Sequence, residues 1–297
     1  MYTGKRPMSE MLDLWPVLPV VISQDLSGYP SPKSYLDPCL DHIAAALESE
    51  HHHRICEIDL SPIPTSHWER LSAAMQKPFP ELTFVQILVE KNTVPSLPNM
   101  FLGGSAPLLQ VLALGNCPFE GMPKLLLSAN HLVRLYLWNI PIPGSGYISP
   151  QALVTTLSVM SKLEILRLGF RSPLSRPDPE GRPRPSLIRS VLPVLTEFVF
   201  QGVHEYLEDL LAQIEAPLLN KLEITFFMDL DFVIPQLHQL ISHAELFKTC
   251  DRAFVEISNY AIQLSIFGET HELPELSLEI KCRELDYQLS SLAQVCN

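Results

Sequence analysis

Apolar and polar positions alternate along this chain in one recurring phrase. The clearest copy runs Ala106-Pro107-Leu108-Leu109-Gln110-Val111-Leu112-Ala113-Leu114-Gly115-Asn116-Cys117, with Leu109-x-x-Leu112-x-Leu114 at its heart. It returns at Ala216-Pro217-Leu218-Leu219-Asn220-Lys221-Leu222-Glu223-Ile224. Alternation of period two predicts short, half-buried strands. Counted from the first apolar position of each copy, strands are predicted at Ile55, Leu82, Leu109, Leu132, Leu163, Leu195 and Leu219, spaced by 27, 27, 23, 31, 32 and 24 residues. Weaker copies centre on Val255/Ile257 and Leu278/Ile280. A unit of a few tens of residues repeated along a chain is the signature of a solenoid, and this range fits leucine-rich repeats carrying insertions.

Between the strands the period changes to that of a helix. Leu40, Ile43, Ala44 and Leu47 share one face of a helix predicted to open at Asp37-Pro38, a good cap followed by a residue favoured at the first helical position. Later stripes are Trp68, Leu71 and Met75; Leu153, Leu157 and Met160 behind a Ser149-Pro150 cap; Leu207, Leu210, Leu211 and Ile214; Leu237, Leu240, Ile241 and Ala244; and Leu285, Leu289, Leu292 and Cys296. Each strand–helix unit has two apolar faces that it cannot bury alone, so stacking of units is the expected driving force. The expected fold is therefore α/β: a leucine-rich-repeat-like solenoid, with a parallel β-sheet on its concave face and helices and loops on its convex face.

Residues 1–36 are read as an N-terminal lead-in with an edge strand near Leu18–Ser23, and residues 37–297 as the solenoid. Prolines around that first strand suit an edge position. Residues 171–190 interrupt the repeats with Pro and Arg in alternation (Arg176-Pro177-Asp178-Pro179-Glu180-Gly181-Arg182-Pro183-Arg184-Pro185), which predicts an extended, mobile loop. It reads as a solvated connection or, being a basic island, as a dock for an acidic partner. The phrase is still recurring near residue 297 and no polar capping unit follows, so further repeats are expected beyond it.

Composition narrows the function classes. The 297 residues are 46% apolar and 18% charged, enough for a large core. A net charge of −12 repels phosphate backbones, so nucleic acid is not an expected partner. No apolar run reaches the length of a membrane span, so no membrane partner is expected. The six cysteines (Cys39, Cys56, Cys117, Cys250, Cys282, Cys296) are scattered, which suits a reducing compartment, cytoplasmic or nuclear. No HExxH, P-loop, GxGxxG or GxSxG is present. Gly103-Gly104-Ser105 and Gly144-Ser145-Gly146 read as turn glycines. His51-His52-His53 with Cys56 reads as a polar loop running into a strand rather than a metal site. Asp229-x-Asp231 reads as a solvated loop, and Glu205, Glu208 and Asp209 as the wet face of a helix. Neither catalysis nor a cofactor is expected.

The informative surface is the face opposite the leucines. Strand alternation turns Phe84, Arg134, Tyr136, Trp138, Arg167, Glu197, Glu223 and Glu256 outward, together with Glu279. Tyr, Trp and Arg are the residues most enriched in binding hot spots. An aromatic and cationic centre grading into an acidic ladder (Glu197, Glu223, Glu256, Glu279) predicts a strip that takes a protein or peptide client.

Several segments also carry a resemblance. They are Glu10-Met11-Leu12-Asp13-Leu14-Trp15-Pro16, Phe101-Leu102-Gly103-Gly104-Ser105-Ala106-Pro107, Leu125-Leu126-Leu127-Ser128-Ala129-Asn130, Ser145-Gly146-Tyr147-Ile148-Ser149-Pro150, Glu205-Tyr206-Leu207-Glu208-Asp209-Leu210, Leu222-Glu223-Ile224-Thr225-Phe226-Phe227, and Arg283 through Leu292. On these the chain resembles fungal (basidiomycete) F-box/leucine-rich-repeat-like proteins. The resemblance implies a substrate-recognition region of an SCF-type ubiquitin ligase, without catalytic residues of its own. An F-box opens with Leu-Pro-x-Glu, and Leu18-Pro19-Val20-Val21 lacks the Glu. Binding of the SCF adaptor is therefore expected only through an F-box upstream. The alternative expectations are the sensing solenoid of an intracellular immune-type receptor, or a degenerate fragment without independent function.

Overall fold

A computed structural model of the chain describes residues 12–13, 18–24, 33–90, 96–118, 124–140, 148–171, 189–227, 234–243, 250–258, 261–268 and 276–281. The chain is α/β and forms two compact units, residues 1–132 with 145–147, and residues 133–144 with 148–297.

In the first unit, β1 (Val20–Ser23), β2 (Ile55–Ile63), β3 (Phe84–Val89) and β4 (Val111–Gly115) lie side by side in chain order, all parallel. Helix α1 (Lys33–Glu48) crosses from β1 to β2, and α2 (Thr65–Ala74) from β2 to β3. The sequence placed the start of α1 at Asp37-Pro38. The helix instead begins at Lys33 and keeps Pro38 inside it. Losing one amide donor there is tolerated because Leu40, Ile43, Ala44 and Leu47 are all buried. Between β3 and β4 a short 3-10 turn (Phe101–Gly104) takes the place of an α-helix. Gly103 has φ of +69° in it, and a Cβ there would come within 2.7 Å of the Pro78 Cα, so no other residue fits.

The second unit contains β5 (Arg134–Ile140), α3 (Pro150–Leu157), β6 (Ile165–Phe170), β7 (Ser190–Val191), β8 (Glu197–Gly202), α4 (His204–Leu211), β9 (Ile214–Glu215), β10 (Lys221–Phe227), α5 (Pro235–His243), β11 (Cys250–Ile257), β12 (Ala261–Gly268) and β13 (Leu276–Lys281). Strands β5, β6, β8, β10 and β13 are parallel neighbours in that order. Beyond β13 the direction reverses: β12 pairs antiparallel with β13, and β11 antiparallel with β12. The small strands β7 and β9 pair with each other apart from this sheet.

Strand β2 begins at Ile55, as the pattern predicted, but the later strands begin after the predicted position. The leading leucine of each later phrase is not in a strand. It closes the turn before one, its N–H donating to the carbonyl three residues back: Leu82 to Phe79, Leu109 to Ala106, Leu132 to Ala129, Leu163 to Met160, Leu195 to Leu192 and Leu219 to Ala216, at 3.1–3.3 Å. The residues after it then bond to the previous strand's edge, as Gln110 and Val111 do with the Thr83 carbonyl, and Glu164 and Ile165 with that of Val133. All six of these leucines are buried, so the phrase supplies an apolar turn as well as two strand positions.

Most of the helical stripes pack as their spacing predicts, but in α5 only Leu237 is buried, while Leu240 and Ile241 stay half-exposed. Trp68, Leu71, Met75, Leu153, Leu157, Met160, Leu207, Leu210, Leu211, Ile214 and Leu237 are buried. Ser149 caps α3, accepting from the Ala152 N–H at 3.1 Å. Ala244 and the last stripe, Leu285 to Cys296, lie outside the described residues.

Two readings need correction. The copy at Val255/Ile257 is not a parallel repeat strand: β11 is an antiparallel edge, reached because β12 intervenes. Strand β12 was missed, although Ile262 and Leu264 alternate with Gln263 and Ser265 in plain view; a template seeking Leu-x-x-Leu-x-Leu passes over it. Of the expected loop 171–190, residues 172–188 lie outside the described residues; at its ends the Arg171 N–H bonds to the Ile140 carbonyl at 3.1 Å and Ser190 belongs to β7. Among the described residues, no helix is long and apolar enough to cross a membrane.

Candidate protein-binding face

One face of each parallel array is closed and the other is partly open. In β3, β8 and β10 buried and half-exposed positions alternate strictly. The buried set is the leucines, isoleucines and phenylalanines of the phrase. The half-exposed set contains the residues singled out from the sequence.

Register aligns these residues into rows across the second unit, because directly paired residues project to the same side. One row is Arg134, Ile165, Glu197 and Lys221. The next is Tyr136, Arg167, Val199 and Glu223, followed by Ser277, Ser265 and Phe254. A third runs Gly169, Gln201, Thr225, Glu279, Gln263 and Glu256. Trp138 joins its end: its ring is 6.1 Å from that of Tyr136, and a Cβ added at Gly169 would lie 3.6 Å from the Trp138 Cα.

Charges within the rows are paired with one another. The Arg167 guanidinium lies over the Tyr136 ring, 5.3 Å from its centroid. Its Nε and Nη2 both donate to Glu197 Oε1, at 2.9 and 2.6 Å. Lys221 Nζ lies 3.5 Å from Glu197 Oε2 and 2.9 Å from Glu223 Oε1. Burial works to lower the Lys221 pKa, but the hydrogen bond to Glu223 and the charges of Glu223 and Glu197 outweigh it and raise the pKa above its ordinary value. The chain Tyr136–Arg167–Glu197–Lys221–Glu223 thus crosses four strands and sets two cations against two anions.

This revises the acidic ladder. Glu197 and Glu223 are neutralised by Arg167 and Lys221. Glu279 accepts from Thr225 Oγ1 at 3.1 Å and lies 3.8 Å from Lys281 Nζ. Glu256 stands at the far end, exposed on the edge strand opposite Gln263. Phe84 belongs to the first unit, half-buried on β3 between Glu57 and Val111. Six of the eight singled-out residues, Arg134, Tyr136, Trp138, Arg167, Glu197 and Glu223, lie on neighbouring strands of the second unit, Glu256 lies on that unit's edge strand, and Phe84 belongs to the first unit.

Other candidates have local roles. His51 Nε2 lies 2.7 Å from Asp13 Oδ1, and the His52 and His53 Nδ1 atoms each lie 2.8 Å from a backbone carbonyl, of Ser49 and Glu50. Among the described residues no three His, Cys, Asp or Glu gather as metal ligands. Glu208 is not on a wet face, as the sequence suggested. Its carboxylate accepts the Gln236 and Leu237 N–H groups at 2.8 and 2.9 Å, capping α5 from a neighbouring helix. Such a cap between helices has no local sequence signature. A cleft of about 430 Å3 near Arg189, Ile214 and Gln239 was also not foreseen. Its guanidinium is already bonded to the Ala212 carbonyl and to the Gln236 and Gln239 side chains. Asp229-x-Asp231 and Gly144-Ser145-Gly146 lie outside the described residues. No family model, curated protein or solved structure matches this chain.

Proposed function

We propose that the chain is a non-enzymatic, protein-binding module of leucine-rich-repeat type, a solenoid that takes a protein or peptide client on the open face of its parallel sheet. The observation that carries this reading is the Tyr136–Arg167–Glu197–Lys221–Glu223 chain of contacts with Trp138 beside it. Aromatic surface is held half-exposed by pairs already formed, so little side-chain freedom remains to be lost when a partner arrives. Hydrogen bonding within the row also offsets its charges, which lets an apolar partner surface approach without stranding a buried ion. Rigid Tyr and Trp flanked by Arg is the composition of a hot spot.

The resemblance to F-box/leucine-rich-repeat-like proteins supports reading the client as the substrate of an SCF-type ubiquitin ligase, the adaptor being a partner only if an F-box exists upstream. Cysteines that form no disulfide among the described residues (Cys39, Cys56, Cys117, Cys250) suit a cytoplasmic or nuclear setting. The experiment is quantitative affinity capture from source cells with the wild type and with Tyr136→Ala/Trp138→Ala. Loss of two such anchors should weaken client binding by at least about 30-fold, equivalent to about 2 kcal/mol. Unchanged capture by a variant whose thermal melt matches the wild type would remove the face from consideration.

A further inference from the structure

The two terminal strands of the sheet order are finished in opposite ways. Strand β1 is four residues long, is preceded by Pro19, and is bounded by Arg54, whose guanidinium donates to the Leu18 and Leu12 carbonyls. These are the devices that keep an edge from pairing further. Strand β11 has neither the short length nor the Pro, although it carries Asp251, Arg252 and Glu256 and a register shift between Cys250 and Arg252. It is eight residues long, Cys-Asp-Arg-Ala-Phe-Val-Glu-Ile, without Pro or Lys, and pairs on one side only among the described strands. Its side chains are exposed on both faces: Phe254 is 58% exposed, Val255 45% and Ile257 50%. Val255 and Ile257 sit opposite Leu264 and Ile262, which are buried, so the apolar layer of the sheet runs out into solvent at this strand.

The order of residues along β11 says what fits it. Antiparallel pairing of the strand with itself, centred on Phe254, sets Phe254 against Phe254, Ala253 against Val255, and Arg252 against Glu256. Both copies of the Arg–Glu pair then fall on the same side as the paired phenylalanines, because residues 252, 254 and 256 alternate with 253 and 255. The ladder needs only residues 252–256, and so stops short of the register shift between Cys250 and Arg252. Arg252 now leans toward β12, where its Nη2 donates to the Gly268 carbonyl at 2.8 Å and the Phe267 ring lies 5.9 Å from its Cζ, so pairing with a second copy redirects it across the open edge. It also lies 3.6 Å from Asp251 Oδ1. Apolar pairing at the centre with opposite charges on either side is the self-complementary pattern that a two-fold interface requires.

We infer that β11 is a self-association edge: a second copy of this chain pairs antiparallel with it across Phe254, with Arg252 of each copy beside Glu256 of the other. The interface uses neither Tyr136 nor Trp138 and stands independently of the client-binding reading.

Charge reversal tests it with the full chain in sedimentation velocity over a wide concentration range. The wild type should form a dimer. Arg252→Glu and Glu256→Arg, each alone, set like charges opposite one another at both ends of the ladder, and should weaken dimerisation at least about tenfold. Mixed one to one, the two single variants re-form both opposite-charge pairs and should associate again, as a heterodimer. Phe254→Glu alters a side chain that is largely in solvent and leaves Arg252 untouched, so it should keep the wild-type circular dichroism while becoming monomeric. A wild type that stays monomeric, a dimer indifferent to Phe254→Glu, folded single variants that fail to associate on mixing, or a β11 that pairs instead with a different protein would each overturn the inference.

Discussion

Leu109 and Leu112 are three residues apart and both fully buried, yet one closes a turn and the other lies in a strand. Burial, not secondary structure, sets what each contributes. Leu109→Ala and Leu112→Ala should therefore cost about the same, each about 2–5 kcal/mol, while Leu108→Ala, at an exposed neighbouring position, should cost less than about 0.5 kcal/mol. Urea denaturation of the three variants checks this; a small effect at Leu109 would mean the turn leucine is not core. At this scale the sequence was informative about which side of a strand a residue takes. Tyr136, Trp138 and Arg167 all turn outward as alternation requires. It was silent on pairing. Arg167 meets Glu197 across 30 positions, and Lys221 meets Glu197 across 24, because register brings them together, and register is a property of neighbouring strands rather than of either residue.

At the scale of elements, the caps divide in the same way. Ser149 sits next to the helix it caps and is legible as a Ser-Pro pair. Glu208 caps α5 from α4, and reads locally as one more charge on a helix. Burial holds its carboxyl above the ordinary value of 4.5; the amide bonds from Gln236 and Leu237 pull it down, and the charge of Asp209 adds to the rise. The folded protein thus binds this proton more tightly than the unfolded chain. The contribution is complete below pH 4.5 and is lost as pH rises through the raised folded value. Glu208→Gln does not titrate. The stability of the wild type relative to it should fall as pH rises above 4.5 in paired urea melts. A difference that grows with pH would reverse the assignment. The missed strand β12 and the antiparallel turn of β11 belong here too: repeat spacing foretells that units recur, but not where a sheet changes direction, since an antiparallel strand has the same alternation as a parallel one.

For the molecule as a whole, a net charge of −12 repels anionic partners at long range. The Arg167–Glu197–Lys221–Glu223 chain is balanced within that field, so a client docking there, as proposed, would be held by contact, chiefly with Tyr136 and Trp138, rather than by steering. The α/β class and the strand-by-strand recurrence were legible because leucine spacing and burial share one cause. The client was not, because specificity is written in half-exposed residues that the core does not constrain. The central claim is that the client lies on the open face, and a photo-crosslinking residue reports this directly. Placed at Val199, between Arg167 and Glu223 in the row, it should trap the client; placed at the exposed Val159, beyond the end of α3, it should not. A client trapped from Val159 and not from Val199 would contradict the account.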